Sequence, residues 1–453
     1  MTRLWSPYAL LPDGWARDVA VNIDHTGRIT SVTPGAARNG QQVGTLLPAP
    51  SNAHSHAFQR AMAGLTERRG PDPNDSFWTW RKLMYRFLDH LTPEQVQAIT
   101  ALVQMEMLEA GYATNVEFHY LHHQSGGEPY DTLNEMAQRV IAATLQTGIG
   151  LTLLPVHYEF GGCDRSGLGP GQIRFGNNPE RFARMMQDCH AALSALPEDH
   201  VLGVAPHSLR AVAPETVALS HTLTDGPIHM HLAEQIREVE EVQAAWGARP
   251  VEWLLDHAEV NARWCLIHCT QMQAHETEAL AATGAVAGLC PITESSLGDG
   301  IFDGIRWLDH AGKIAIGSDS NIRISLSEEL RTLDYSQRLR DHSRAALATP
   351  DLSTGRRLFG EICAGGAQAA GRRTGQIAPG YWADLMTLET DHVDLVGLAG
   401  DTILDAYIFA GDDRMVRDVW SAGRHLVTEG RHIARDQIVR AYVKAVKALR
   451  TLA

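Results

Sequence analysis

The chain has 453 residues, 44% of them hydrophobic and 20% charged, with a formal net charge of −14. Length and composition fit a large soluble α/β domain accompanied by a small one. The acidic balance argues against nucleic acid or an anionic membrane as partner, and neither an apolar run of membrane-spanning length nor a secretory leader is expected.

Residues 1–48 read as short strands and turns. Residues 15–23 alternate apolar and polar positions, and Asp24-His-Thr-Gly27 is a turn ahead of a strand at 28–32. Residues 44–47 form an apolar run that reads as the first strand of the main domain, followed by Pro48-Ala-Pro-Ser-Asn-Ala-His54-Ser-His56. Residues 66–86 read as a loop that turns helical, in the manner of a lid, carrying Arg68, Arg69, Arg81, Phe77, Trp78 and Trp80. Thr92-Pro-Glu-Gln95 predicts a helix start, with Thr92 as N-cap, Pro93 in the first turn and Gln95 closing a capping box. Val96, Ile99, Val103 and Met107 give that helix an apolar stripe, and Gly111 ends it.

Strand and helix patterns then alternate. Strands are expected at 113–118, 150–156, 201–205, 228–232, 264–267, 285–289 and 313–317, and helices at 130–147, 179–196, 214–222, 236–246, 251–257 and 273–283. With residues 44–47 this makes about eight strand–helix units, the pattern of a closed (β/α)8 TIM-like barrel. A doubly wound open sheet is the competing architecture. The barrel is favoured because polar residues cluster just after the strands, where barrel active sites lie. Past residue 370 the β character returns, at 375–388 and 418–431, before a closing helix at 437–449. Both chain ends are therefore expected to build one small β-sandwich domain, from residues 1–48 and 371–453, beside a barrel of residues 49–370.

Four strand ends carry groups suited to a metal. His54 and His56 stand two apart, so in extended backbone both point the same way. His229-Met-His231-Leu-Ala-Glu234 ends the fifth strand, His268 the sixth, and Asp319 follows the eighth. Each has a structural alternative: His268 as a hydrogen-bonded core residue, Glu234 as a helix cap, Asp319 as a turn stabiliser. Four strand ends bearing ligand-type residues together favour a metal site at the barrel mouth, because imidazole and carboxylate suit zinc. His229 is an alternative ligand to His231.

With the His-x-His pair, the His-x-x-Glu step, the later histidine, the Ser-Asp and the late Ile-Ala-Pro-Gly-Tyr-Trp-Ala-Asp-Leu run, the chain resembles the amidohydrolase superfamily along nearly its whole length. No lysine stands where a bridging ligand would, which points to the mononuclear, deaminase-like branch. The resemblance implies His54, His56, His231 and Asp319 as ligands of one zinc ion per subunit, iron or manganese being other possible occupants. It implies Glu234, His268 and Asp319 as catalytic groups handling protons on water and on a substrate nitrogen, in hydrolysis at a C=N carbon with release of ammonia.

Arg210 follows the fourth strand and Arg81 sits in the expected lid, and paired arginines in an acidic protein suggest a substrate carrying carboxylates. The fuller runs His-Ser-His-Ala-Phe-Gln-Arg, Phe-Trp-Thr-Trp-Arg and Ala-Pro-His-Ser-Leu-Arg-Ala-Val are similar to those of the formimidoylglutamate deiminase family. That resemblance implies hydrolysis of N-formimino-L-glutamate in histidine degradation. Arg210, Arg81 and Gln59 would hold the glutamate portion, and Tyr120 and His207 would lie near the formimino group or the α-carboxylate. An aminohydrolase acting on a nucleobase, nucleoside or s-triazine is the alternative, kept open by the lid aromatics. A non-catalytic metal-binding barrel is a further one, though it would not need Glu234 and His268. Six scattered cysteines without a Cys-x-x-Cys pair read as reduced thiols of a cytoplasmic protein. A homodimer is expected by the resemblance.

Overall fold

A computed structural model describes residues 1–67 and 77–450. Arg68 and Arg69, and the side chains of Phe77 and Trp78, lie outside the described residues.

The centre is a barrel of parallel strands: β1 (Ser51–Ser55), β2 (Thr114–His119), β3 (Gly150–His157), β4 (in two pieces, Val201–Leu202 and Ala205–Pro206), β5 (Ile228–Leu232), β6 (Trp264–His268), β7 (Val286–Leu289) and β8 (Lys313–Ile316). Strands β1 to β4 form one hydrogen-bonded sheet and β5 to β8 a second. Parallel bridges from Val204 to Ile228 and from Ser55 to Asp319 join the edges of the two sheets and close the ring. Strands β1, β2, β3, β5, β6 and β7 are buried along their whole length, as parallel strands covered on both faces must be.

A third sheet takes strands from both chain ends. In spatial order it runs Arg431–His432, Arg424–Thr428, Val416–Ser421, Leu385–Leu388, Thr45–Pro48, Thr2–Leu11, Gly14–Ile23 and Ile29–Thr33, with Gln41–Gln42 pairing to Thr2–Leu11. Residues 45–48 thus belong to this sheet, not to the barrel: Thr45–Pro48 pairs antiparallel with Leu385–Leu388. The expected first barrel strand at 44–47 was misplaced, and the reason lies in Pro48 and Pro50. Neither carries an amide hydrogen, so no ladder continues through them; the chain changes sheets across Ala49, whose amide donates to the Asp384 carbonyl at 3.0 Å. His54 consequently sits inside a barrel strand rather than after one.

The helix Pro93–Glu109 starts as its sequence dictates, with a Thr92–Gln95 capping box and proline in the first turn. The helix expected from residue 130 begins at Glu135, because the preceding residues are spent on a turn that closes with the Glu135 amide on the Thr132 carbonyl. Two helices not read from the pattern, Leu326–Asp341 and Thr354–Ala370, are capped by Ser325 and Ser353. The second is rich in glycine, which weakens a helical signal, yet the glycines bring it against the barrel. A Cβ on Gly365 would lie 2.0 Å from the Ile314 carbonyl oxygen of β8, and one on Gly366 would meet Ser51 of β1.

Candidate active site

The barrel mouth gathers the groups that the strand ends deliver. Nε2 of His54 and Nε2 of His56 lie 3.6 and 3.3 Å from Oδ1 of Asp319. Nε2 of His231 lies 3.1 Å from Nε2 of His54. Donor atoms of His54, His56 and His231 all fall within 4.8 Å of one another, and so do those of His54, His268 and Asp319. Closure of the barrel does the gathering: the Asp319 amide donates to the His54 carbonyl and the His56 amide to the Asp319 carbonyl, both at 2.9 Å. His229 is not part of the cluster, because its Nε2 donates to the Ala369 carbonyl at 2.8 Å.

The residues present fit a cation. Nδ1 of His56 donates to the Phe118 carbonyl at 3.0 Å and Nδ1 of His231 to the His207 carbonyl at 3.1 Å, so each turns the lone pair of its Nε2 inward. Burial holds His56 neutral, with its pKa lowered to about 3. Burial, then the neighbouring histidines, hold His54 and His231 well below the usual imidazole range. Three neutral imidazoles and a carboxylate gathered at the barrel mouth are a donor set that suits zinc.

His268 stands across from the cluster. Its Nε2 is 3.7 Å from Oε1 of Glu234 and 3.7 Å from Oδ2 of Asp319, and its Nδ1 is 3.2 Å from Oε1 of Glu294. Burial opposes a charge on His268, but Glu234, Glu294 and Asp319 outweigh it and push its pKa up. Asp319 is raised to about 7, by burial against the pull of His268. Glu234 is fixed through its backbone: its amide and that of Ala233 donate to the Glu238 carboxylate at 3.0 and 3.1 Å, and the Thr270 hydroxyl donates to its carbonyl at 2.8 Å. Ala233, His268, Cys269, Asp319 and Asn321 all adopt φ between 46° and 72°. Such left-handed non-glycine backbone concentrated at strand ends is strain of the kind that functional sites retain.

Over the cluster lies a cavity, partly open to solvent, whose lining includes all five residues expected to bind substrate: Gln59, Arg81, Tyr120, His207 and Arg210. Gln59 donates to the Tyr120 hydroxyl at 2.9 Å. The short helix that carries Gln59 is anchored by Glu117, which accepts the Ala57 amide at 2.7 Å. Arg81, on the helix Phe77–Leu88, reaches the Tyr158 hydroxyl at 3.0 Å. His207 is held well below its usual pKa by burial and then by Arg210 and Arg81, which places both cations around it.

Sequence reasoning missed other walls of this cavity, among them Met84, Tyr85, Tyr158, Phe175 and Thr293, and the Glu294 partner of His268. Tyr158 stands one residue past the end of β3, where the same strand-end rule would have found it. Glu294 lies in the first turn of the helix Pro291–Leu297 that follows β7.

Residues 45–426 match the model of the "Amidohydrolase family", and residues 1–42 that of the "Formimidoylglutamate deiminase HutF, N-terminal domain". A curated formimidoylglutamate deiminase of Pseudomonas aeruginosa is 45% identical over 99% of this chain and 100% of its own length. The crystal structure of an amidohydrolase from Brucella melitensis superposes with a TM-score of 0.94 at 46% identity, covering 99% of this chain and 100% of the other. An adenosine deaminase structure from Xanthomonas campestris, described as having bound zinc, shares the fold at a TM-score of 0.82 and 22% identity, over 99% and 98% of the two chains.

Proposed function

The chain belongs to the amidohydrolase family, and from that premise we propose that it is a metal-dependent deiminase that hydrolyses N-formimino-L-glutamate to N-formyl-L-glutamate and ammonia, in histidine degradation. The observation that carries this reading is the meeting of two features in one cavity. A cluster of three imidazoles and a carboxylate forms its floor, and Arg81 and Arg210 stand in its walls. The 45% identity to a formimidoylglutamate deiminase over the full chain supports the choice of substrate.

His54, His56, His231 and Asp319 would hold one zinc ion. Bound there, zinc supplies Lewis acidity that brings the ionisation of water towards about pH 7. Asp319 takes the proton of the attacking water as its oxygen adds to the formimino carbon. His268, equidistant from Asp319 and Glu234, stabilises the charge that develops between them. Glu234 gives a proton to the imino nitrogen, which becomes an amine; the water proton held by Asp319 then completes the leaving ammonia as the C–N bond breaks, and the hydroxyl proton released as the C=O bond of the formyl group forms returns to Glu234. Gln59, Arg81 and Arg210 bind the glutamate portion, with Tyr120 and His207 near the formimino group or the α-carboxylate; guanidinium groups pair with carboxylates through two parallel N–H donors.

We assign the catalytic barrel to residues 49–370 and the small domain to residues 1–48 and 371–453. The reading extends to a cytoplasmic homodimer. Six free cysteines, five of them buried, are in keeping with a reducing compartment. Among the described residues no helix is long and apolar enough to cross a membrane.

The test is product identification. The zinc-loaded protein incubated with N-formimino-L-glutamate should give N-formyl-L-glutamate and ammonia in equal amounts. Ammonia from a purine instead would reassign the substrate and leave the metal site standing.

A further inference from the structure

Tyr158 stands just past β3 and is 3% exposed, in the wall of the cavity that Arg81 and Arg210 also line. Its hydroxyl oxygen accepts a hydrogen bond from Nη2 of Arg81 at 3.0 Å and another from Nε2 of Gln172 at 2.9 Å. The orientation of Gln172 is fixed by its other end, because its Oε1 accepts the Gly169 amide at 3.0 Å. Guanidinium and amide nitrogens only donate. The lone pairs of the phenol oxygen are therefore spent, while its own O–H has no acceptor among the described residues. A donor held in place on the wall of a cavity, beside a cation, is half of a carboxylate clamp. Donation from Arg81 also polarises the phenol and strengthens the bond its proton can make.

The position of Tyr158 selects which carboxylate. The His231 ring packs on His207 with centroids 4.9 Å apart, and His207 packs on Tyr158 at 4.6 Å. Tyr158 is thus one full ring further than His207 from the cluster where the C=N bond is attacked. In N-formimino-L-glutamate the α-carboxylate sits on the carbon whose nitrogen carries the formimino group and is retained in the product, and the side-chain carboxylate lies two methylenes beyond it.

We propose that Tyr158 is a substrate-binding residue whose hydroxyl donates to the side-chain carboxylate beside Arg81, with Gln172 as the residue that positions it. The proposal rests on the deiminase reading for the identity of the substrate.

Tyr158→Phe keeps the ring that packs on His207 and removes only the donor. With N-formimino-L-glutamate, KM should rise about 10- to 100-fold, the loss of a hydrogen bond to a charged group, while kcat changes less than about twofold. With N-formimino-L-2-aminobutyrate, which lacks the side-chain carboxylate, KM should be the same in both proteins. Gln172→Leu should raise KM in the same substrate-selective way by a smaller factor, and serves if Tyr158→Phe folds poorly. Equal losses with the two substrates, or an unchanged KM with the first, would overturn the proposal. Calorimetric titration with glutarate separates this from the function itself. Wild type that binds glutarate about tenfold more tightly than Tyr158→Phe, yet releases no ammonia, would keep the carboxylate contact and reject the deiminase reading. Equal glutarate affinity in the two proteins would remove Tyr158 from the site.

Discussion

The Nε2 atoms of His54 and His231 face each other 3.1 Å apart, although 177 positions of sequence separate the two residues. Nδ1 of His231 is committed to the His207 carbonyl, and burial keeps both rings neutral. With no partner on Nδ1 of His54 among the described residues, the two Nε2 atoms can share one proton as a hydrogen bond, and a cation displacing that proton would take both lone pairs. The purified protein should therefore contain about one equivalent of divalent metal per chain. His231→Ala should lower metal content and activity together, as measured by elemental analysis on the same samples. Full metal occupancy in that variant would mean the ligand set is wrong.

Glu234→Gln separates binding from chemistry. The carboxylate lies 3.7 Å from the His268 ring and outside the set of donors that meet at the cluster. The variant should keep its metal and bind substrate with similar KM, while kcat falls by about 10²- to 10⁴-fold, the range for loss of a general acid–base group. Near-normal kcat would take the proton transfer away from Glu234.

Arg210 is buried in the cavity wall. Arg210→Ala should raise KM by about 10-fold or more, in line with loss of a charge-assisted pair, while metal content stays constant. Unchanged kinetics would return Arg210 to a purely structural role.

Stability should depend on pH through buried histidines that are not in the cluster at the barrel mouth. Burial lowers His119, His157 and His229 each to about 4, against an ordinary value of 6.5. Between those values the unfolded chain binds protons that the folded chain refuses. The folded state therefore loses stability as pH falls from about 6.5 to about 4, on the order of a few kcal/mol per residue, and the loss levels off below that. Urea midpoints measured across this range should drop steeply. His229→Gln should flatten the slope; an equal slope in that variant would contradict the assignment.

What was legible in the sequence follows from where chemistry sits in a barrel. His54, His56, His231, His268 and Asp319 could be read because ligand-type residues at strand ends converge once the strands close, whatever their separation in sequence. Tyr158 and Glu294 were not read. Each belongs to a loop or short helix that follows a strand contributing nothing to the cluster, and its role depends on partners, Arg81 and His268, that only folding supplies. Residues 44–47 were assigned to the wrong sheet because an apolar run looks the same in either, and only the Pro48–Pro50 break separates them. The helix Thr354–Ala370 was hidden by its glycines, whose value lies in contact with β1 and β8 and not in local propensity.

The most direct test of the whole account is the kcat/KM for ammonia release by the zinc-loaded protein on N-formimino-L-glutamate, measured beside guanine and S-adenosylhomocysteine. The account predicts efficient turnover of the first and none of the other two, because the cavity couples its metal cluster to paired arginines. Turnover of a purine, with the formimino compound inert, would contradict it.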